Sequence, residues 1–182
     1  MSKITFITGG AASGKSRCAI SYFASCDNVL YMFISKHIDE ETKKRIEYNC
    51  EKNDVTWDIA TGAEDLISMV TGRKFTILDN LGAYVNKVKS KICPNIEDMD
   101  DEVKRDIEKQ AIKDISELID FVRDANANLL IISTELGFGP TPLDKDQRYF
   151  REILGNVNQR IANISTDVYL STSGVPFKIK GI

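Results

Sequence analysis

Apolar positions along this chain follow two rhythms. Short, nearly unbroken apolar runs occur at 4–8 (ITFIT), 28–34 (NVLYMFI), 75–79 (FTILD), 128–134 (NLLIIST) and 167–172 (DVYLST). Runs of this length and composition read as strands covered on both faces, as in a parallel sheet. Between them lie longer amphipathic stretches at 15–25, 39–51, 63–70, 81–89, 101–125 and 144–164, which read as helices. In the fifth, Val103, Ile107, Ala111, Ile115, Leu118, Ile119 and Val122 recur at steps that place them on one stripe, so this face is expected to pack on the sheet. Strands alternating with helices predict an α/β fold with crossover helices flanking a mostly parallel sheet. After Gly174 the segment 176–180 (PFKIK) alternates, and so short a turn makes this last strand antiparallel. The acidic stretch around 95–109 reads as a solvated surface whose acids favour the N-terminus of the fifth helix. No repeat or linker interrupts the pattern, so the expectation is a single domain over residues 1–182.

Composition narrows the chemistry. With 42% hydrophobic residues over 182 positions the chain has material for a sizeable core. A formal charge of −3 argues against a surface that tracks nucleic-acid phosphates or anionic lipid. Cys18, Cys26, Cys50 and Cys93 are scattered without a C-x-x-C pair and are read as reduced thiols. His37 is the single histidine and no cysteines are paired, so a zinc site of nitrogen and sulfur ligands is not expected and any metal is expected to be hard and oxygen-bound. No apolar run reaches the ~20 residues of a membrane span, and a cytoplasmic location is expected.

The strongest chemical signal is the stretch ITGGAASGKS, in which Gly9, Gly14, Lys15 and Ser16 satisfy G-x-x-x-x-G-K-[ST] between a strand and a helix. The glycine-rich turn Gly9, Gly10, Ala11, Ala12, Ser13, Gly14 would face successive backbone N–H groups toward a nucleotide's phosphates. Lys15 would reach the outer phosphates and Ser16 would hold Mg²⁺. Asp79, ending an apolar strand in KFTILDN, is the candidate second metal ligand, with the alternative that it caps a turn before Asn80. Glu135, in STELGFGPTP, is a candidate to bind metal or accept a substrate proton, or else caps a turn or pairs with an arginine.

Taken together, ITGGAASGKS, ILDN, STELGFGPTP and YFREILGNVNQRIANISTDVYLSTSGVPFKIK resemble the bifunctional adenosylcobinamide kinases and adenosylcobinamide-phosphate guanylyltransferases of cobalamin biosynthesis. The likeness runs in order over nearly the whole chain, and Gly155, Asn158, Gln159 and Ala162 carry its most specific part. The resemblance implies a RecA-like P-loop sheet, a homotrimer, ATP or GTP with Mg²⁺, and a corrinoid substrate that is phosphorylated and then receives GMP. It also implies that GMP transfer runs through a histidine on the helix after the second strand. In DEETKKRIEYNCEKNDVTW, where Asp39, Glu41, Arg45, Ile46 and Trp57 keep register, Asn49 stands in that place. An amide nitrogen, delocalised into its carbonyl, cannot attack a phosphate as imidazole does.

Further departures cluster nearby: Ala12 for arginine, Phe33 and Ile34 for Ala-Thr, Asn53 and Asp54 for Arg-Pro, and Thr61 for glutamate. His37 reads as a surface histidine, Tyr48 and Cys50 as lying on other helix faces, and Trp57 as packing between elements. The leading expectation is therefore a phosphotransferase with the kinase half retained, catalysed by Lys15, Asp79 and Glu135. The alternatives are a binding-only regulatory or vestigial protein, or a P-loop kinase for another alcohol.

Overall fold

The computed structural model describes residues 2–62 and 64–181. In chain order it contains β1 (Lys3–Thr8), α1 (Lys15–Tyr22), β2 (Val29–Phe33), α2 (Glu40–Asn53), β3 (Trp57–Thr61), α3 (Leu66–Val70) and β4 (Phe75–Asp79). After these come α4 (Leu81–Ile92), a 3₁₀ turn (Ile96–Asp98), α5 (Asp101–Asp124), β5 (Asn128–Ile132), α6 (Lys145–Ile164), β6 (Asp167–Thr172) and β7 (Val175–Lys180). The strands form one seven-stranded sheet in the order β3-β2-β4-β5-β1-β6-β7. Every pairing is parallel except β6 with β7, in agreement with the sequence pattern.

The helices cover both faces. On one, Ile7, Tyr31, Phe33, Ile77, Leu130 and Ile132 pack against α1 and α2. On the other, Ile4, Phe6, Met32, Leu78, Leu129 and Ile131 pack against α3 to α6. The α5 stripe behaves as its spacing requires: Ile107, Ala111, Ile115, Leu118 and Ile119 are fully buried. Helix starts are capped by Asp39, Asn80, Asp100 and Asp144, whose side chains accept backbone N–H groups of the first turn.

Two segments depart from the sequence pattern. β3 has no counterpart among the predicted strands. Its sequence WDIAT is mostly polar or half-exposed, because it is the outer strand of the sheet and only Trp57 is buried. The third helix is confined to Leu66–Val70, because Asp65 accepts the N–H groups of Ile67 and Ser68 and fixes the start there. The expected start at position 63 lies outside the described residues.

At the other side of the sheet, the buried Asp167 at the start of β6 is gripped by Lys3 at 2.6 Å and Lys178 at 3.0 Å. Burial alone would raise its pKa, but the two ammonium groups outweigh it and hold the carboxyl below the usual aspartate value. A depressed folded pKa means stability that is present above the ordinary aspartate range and disappears as the pH falls through the lower value. Both lysines keep contact with solvent, so Asp167→Ala is expected to lose about 1–2 kcal/mol at neutral pH rather than the several expected of a fully buried pair. Urea unfolding of wild type and variant should show that gap closing as the pH is lowered below about 4.

Candidate functional site

The turn from β1 into α1 is built against a distant part of the chain. The Ser13 carbonyl accepts the Gly174 N–H at 2.9 Å and the Ser171 hydroxyl at 2.8 Å, and the Arg17 guanidinium donates to the Gly174 carbonyl at 3.1 Å. The β6–β7 hairpin thus braces the outside of the turn. Glycine is needed for this closeness: a Cβ at Gly9 would stand 2.2 Å from the Ser171 carbonyl oxygen, and one at Gly14, where φ is 93°, 2.9 Å from Gly174 Cα. Gly10 and the exposed Ala11 and Ala12 form the crest, with Ala12 in the left-handed region at φ 53°.

Lys15 and Ser16 open α1. The Lys15 ammonium turns back into the turn and donates to the Gly10 carbonyl at 2.6 Å. Burial lowers its pKa and the carboxylate of Asp79 opposes that shift. Ser13 lies inside the turn with its hydroxyl buried and without a protein partner.

Asp79 is the last residue of β4, and the alternative of a helix cap falls to its neighbour: Asn80 Oδ1 accepts the Ala83 N–H at 2.8 Å. Asp79 is left facing the turn. Its Oδ2 accepts the Tyr31 hydroxyl at 2.6 Å and the Ser16 hydroxyl at 3.3 Å. Burial raises the Asp79 pKa, while the hydrogen bonds from Tyr31 and Ser16 and the Lys15 charge hold it back. The Tyr31 phenol is pushed far above its ordinary range by burial and then by Asp79, so it remains a donor. In the sequence Tyr31 is one more member of an apolar run. The signal available was a tyrosine in a fully buried strand, whose hydroxyl must find a partner.

A hydroxyl and one buried carboxylate are hard oxygen donors suited to Mg²⁺. Among the described residues there is no cluster of three or more His, Cys, Asp or Glu side chains able to cage a metal. Ser16 and Asp79 therefore fit an ion that takes its remaining ligands from phosphate oxygens and water.

Glu135 comes after β5 at the same edge, and its N–H donates to the Gly9 carbonyl at 2.9 Å. No arginine pairs with it among the described residues. Its Oε1 accepts the Gly137 N–H at 2.6 Å, so one oxygen does cap a turn. Asn158 on α6 fixes the approach: its Oδ1 accepts from Ser133 at 2.7 Å and its Nδ2 donates to the Thr134 carbonyl at 3.1 Å. Ser16 and Asp79 therefore meet directly, Lys15 acts on Asp79 through its charge while bonded to Gly10, and Glu135 joins them through the backbone of Gly9.

On α2, Asn49 is buried against α1. Its Nδ2 donates to the Ala24 carbonyl at 3.3 Å and its Oδ1 accepts from Asn53 at 3.1 Å. Tyr48 is exposed, and Cys50 packs with the apolar layer that contains Trp57. The Trp57 indole donates to the Cys26 carbonyl at 2.9 Å, and His37 is exposed on the loop after β2. Phe33 and Ile34 are buried, whereas Ala12, Asn53 and Thr61 are exposed. No helix of the described residues is long and apolar enough to cross a membrane.

Comparison with known proteins gives the chain its relatives. A family model described as cobinamide kinase / cobinamide phosphate guanyltransferase matches residues 5–179. The chain is 29% identical to a bifunctional adenosylcobalamin biosynthesis protein of Salmonella typhimurium, with 96% of this chain and 98% of that one covered. It is 28% identical to a protein of the same description from Escherichia coli, with the same coverage, and 26% identical to one from Pseudomonas aeruginosa, with 96% of each chain covered. A match of this extent, over a sheet with this strand order, identifies the chain as a member of the cobinamide kinase / cobinamide phosphate guanyltransferase family.

Proposed function

We propose that the protein is a nucleotide- and Mg²⁺-dependent phosphotransferase that phosphorylates the alcohol of a cobinamide, with the kinase half of the family's chemistry retained in preference to GMP transfer. The convergence of Lys15, Ser16 and Asp79 at the mouth of the glycine-rich turn carries this reading. The turn's backbone N–H groups and the Lys15 ammonium bind the triphosphate tail of ATP or GTP and stabilise the charge that spreads over the transferred group. Ser16 and Asp79 would hold magnesium, which when bound supplies further neutralisation of the phosphate oxygens. Tyr31 fixes the Asp79 carboxylate from behind by occupying Oδ2. Glu135 orients the acceptor hydroxyl and takes its proton as the oxygen bonds to the γ-phosphorus. The bond from phosphorus to the bridging oxygen breaks, and the nucleoside diphosphate leaves.

The state of Asn49 supports loss of the second reaction. Its amide is buried and engaged by the Ala24 carbonyl and Asn53, so no nucleophile is offered there, and neighbouring Tyr48 is exposed to solvent.

Lys15→Ala is expected to lower phosphoryl transfer at least about 100-fold without unfolding the protein. Radiometric assay of cobinamide phosphate, with circular dichroism as control, tests this, and unchanged turnover would refute the role. Asp79→Asn removes a buried carboxylate, so the ligand-free variant should melt about 2–4 °C higher than wild type while losing Mg²⁺-dependent nucleotide binding. Because burial raises the Asp79 pKa, this advantage exists at neutral pH and shrinks on acidification as the wild-type carboxyl takes up its proton. Calorimetry across the pH range reads both effects. Incubation with α-labelled GTP should leave no acid-labile label on the protein; label mapped to His37 would restore the covalent route. Parallel product assays with ATP and GTP identify the donor.

A further inference from the structure

In a trans peptide unit the C=O and the N–H point in opposite directions, so whatever holds a carbonyl also aims the amide of the next residue. Within the glycine-rich turn the carbonyls of Gly9, Gly10 and Ser13 are held. That of Gly9 accepts the Glu135 N–H at 2.9 Å, and that of Gly10 accepts the Lys15 ammonium at 2.6 Å. These two holds come from backbone and from the motif's own lysine. The Ser13 carbonyl is different: it accepts the hydroxyl of Ser171, 158 residues away, at 2.8 Å, together with the Gly174 N–H at 2.9 Å.

Strand register brings Ser171 to this point. Thr8 lies beside Leu170 in the parallel pairing of β1 with β6, so the next residue of each chain segment, Gly9 and Ser171, meet at the edge of the sheet. Ser171 is only 1% exposed, and its hydroxyl donates to Ser13 rather than to solvent. Arg17 on α1 secures the hairpin turn from the other side: it donates to the Gly174 carbonyl at 3.1 Å, and a Cβ at Gly174 would stand 2.3 Å from its Nη2. The Ser13 carbonyl is thus drawn toward the hairpin, which turns the Gly14 N–H to the side away from it.

Nothing local keeps that peptide in place. Gly14 has φ 93°, and glycine passes between positive and negative φ at little cost, so a flip of the Ser13–Gly14 peptide meets no side-chain barrier. α1 also begins without a side-chain cap, unlike α2 to α6, which leaves its first amides for a ligand.

We propose that Ser171 is a positioning residue for nucleotide binding: its hydroxyl holds the Ser13–Gly14 peptide in the orientation that offers the Gly14 N–H to a phosphate oxygen, with Arg17 securing the hairpin turn behind it. The proposal rests on the phosphotransferase reading in taking the turn as the nucleotide's seat, and adds which residues outside the turn set its affinity. Ser171 touches neither substrate. It acts through the fraction of free protein whose turn already has the binding orientation, and apparent affinity falls in proportion to that fraction.

Calorimetric titration with MgATP and with MgGTP reads the effect without turnover. Ser171→Ala removes one hydrogen bond from the binding orientation and is expected to raise Kd about fivefold. Arg17→Met, at an exposed position, should raise it about twofold. The double variant should raise it at least about 20-fold, more than the product of the two, because the Gly174 N–H is then the last hold on the Ser13 carbonyl. At saturating nucleotide, Ser171→Ala should transfer phosphate to cobinamide within about twofold of the wild-type kcat and with an unchanged KM for cobinamide, a split that general loosening of the fold would not give. If the variants bind nucleotide more weakly than wild type and no form transfers phosphate, the positioning role stands and the phosphotransferase reading falls. If Ser171→Ala binds both nucleotides as wild type does, or loses turnover at saturating nucleotide along with affinity, the positioning role is overturned and the phosphotransferase reading is untouched. Wild type that binds neither nucleotide overturns both.

Discussion

The parallel pairing of β1 with β5, and of β5 with β4, is the constraint on which the site depends. In register, Ile7 stands beside Ile132 and Ile132 beside Asp79, so these strands end level with one another. The glycine-rich turn, the segment that carries Glu135 and Asp79 itself therefore all emerge at one edge of the sheet. A one-residue slip of β4 would turn Asp79 to the other face of the sheet and separate it from Ser16. The buried aliphatic side chains on both faces make such a slip prohibitive, since each would exchange one packed layer for the other. Chemistry at the edge thus inherits its precision from packing in the middle.

Electrostatics at that edge is a balance among buried groups. Asp79 bears the desolvation of a nearly enclosed carboxylate, offset by the Tyr31 and Ser16 hydroxyls and by Lys15. Lys15 experiences the reciprocal effect, with burial disfavouring its charge and Asp79 favouring it. Each charge thus opposes the desolvation of the other. The β6–β7 hairpin adds rigidity, since it bonds the turn at the Ser13 carbonyl and not at the turn's N–H groups. Asn158 does the same for Glu135 by holding Ser133 and Thr134.

On the opposite flank, α1 and α2 are joined by contacts that close around Asn49. An asparagine buried beside a helix-end carbonyl is a structural strut, with its donor and acceptor both satisfied.

Much of this is legible in the chain itself. Local rules suffice for the strand-turn-helix at Gly9 to Ser16, for the apolar runs that form the parallel strands, for the α5 stripe and for Asp79 at a strand end, because periodicity and turn chemistry act over a few residues. β3 escapes them because an outer strand needs only one buried side, and WDIAT hardly differs from a polar loop. Tyr31 and Ser171 are hidden inside apolar runs, where a hydroxyl reads as a tolerated exception until its surroundings are known. Sequence alone determined the strands other than β3, the long helices between them and the glycine-rich turn from β1 into α1. Only the tertiary structure decided that Tyr31 serves Asp79, that Asn80 rather than Asp79 caps α4, and that Gly174 braces Ser13. The first and last of those relations join residues far apart in the chain, and their partners are set by strand order and register, which no local pattern encodes; the cap falls to Asn80 because Asp79 is turned toward Ser16 and Tyr31.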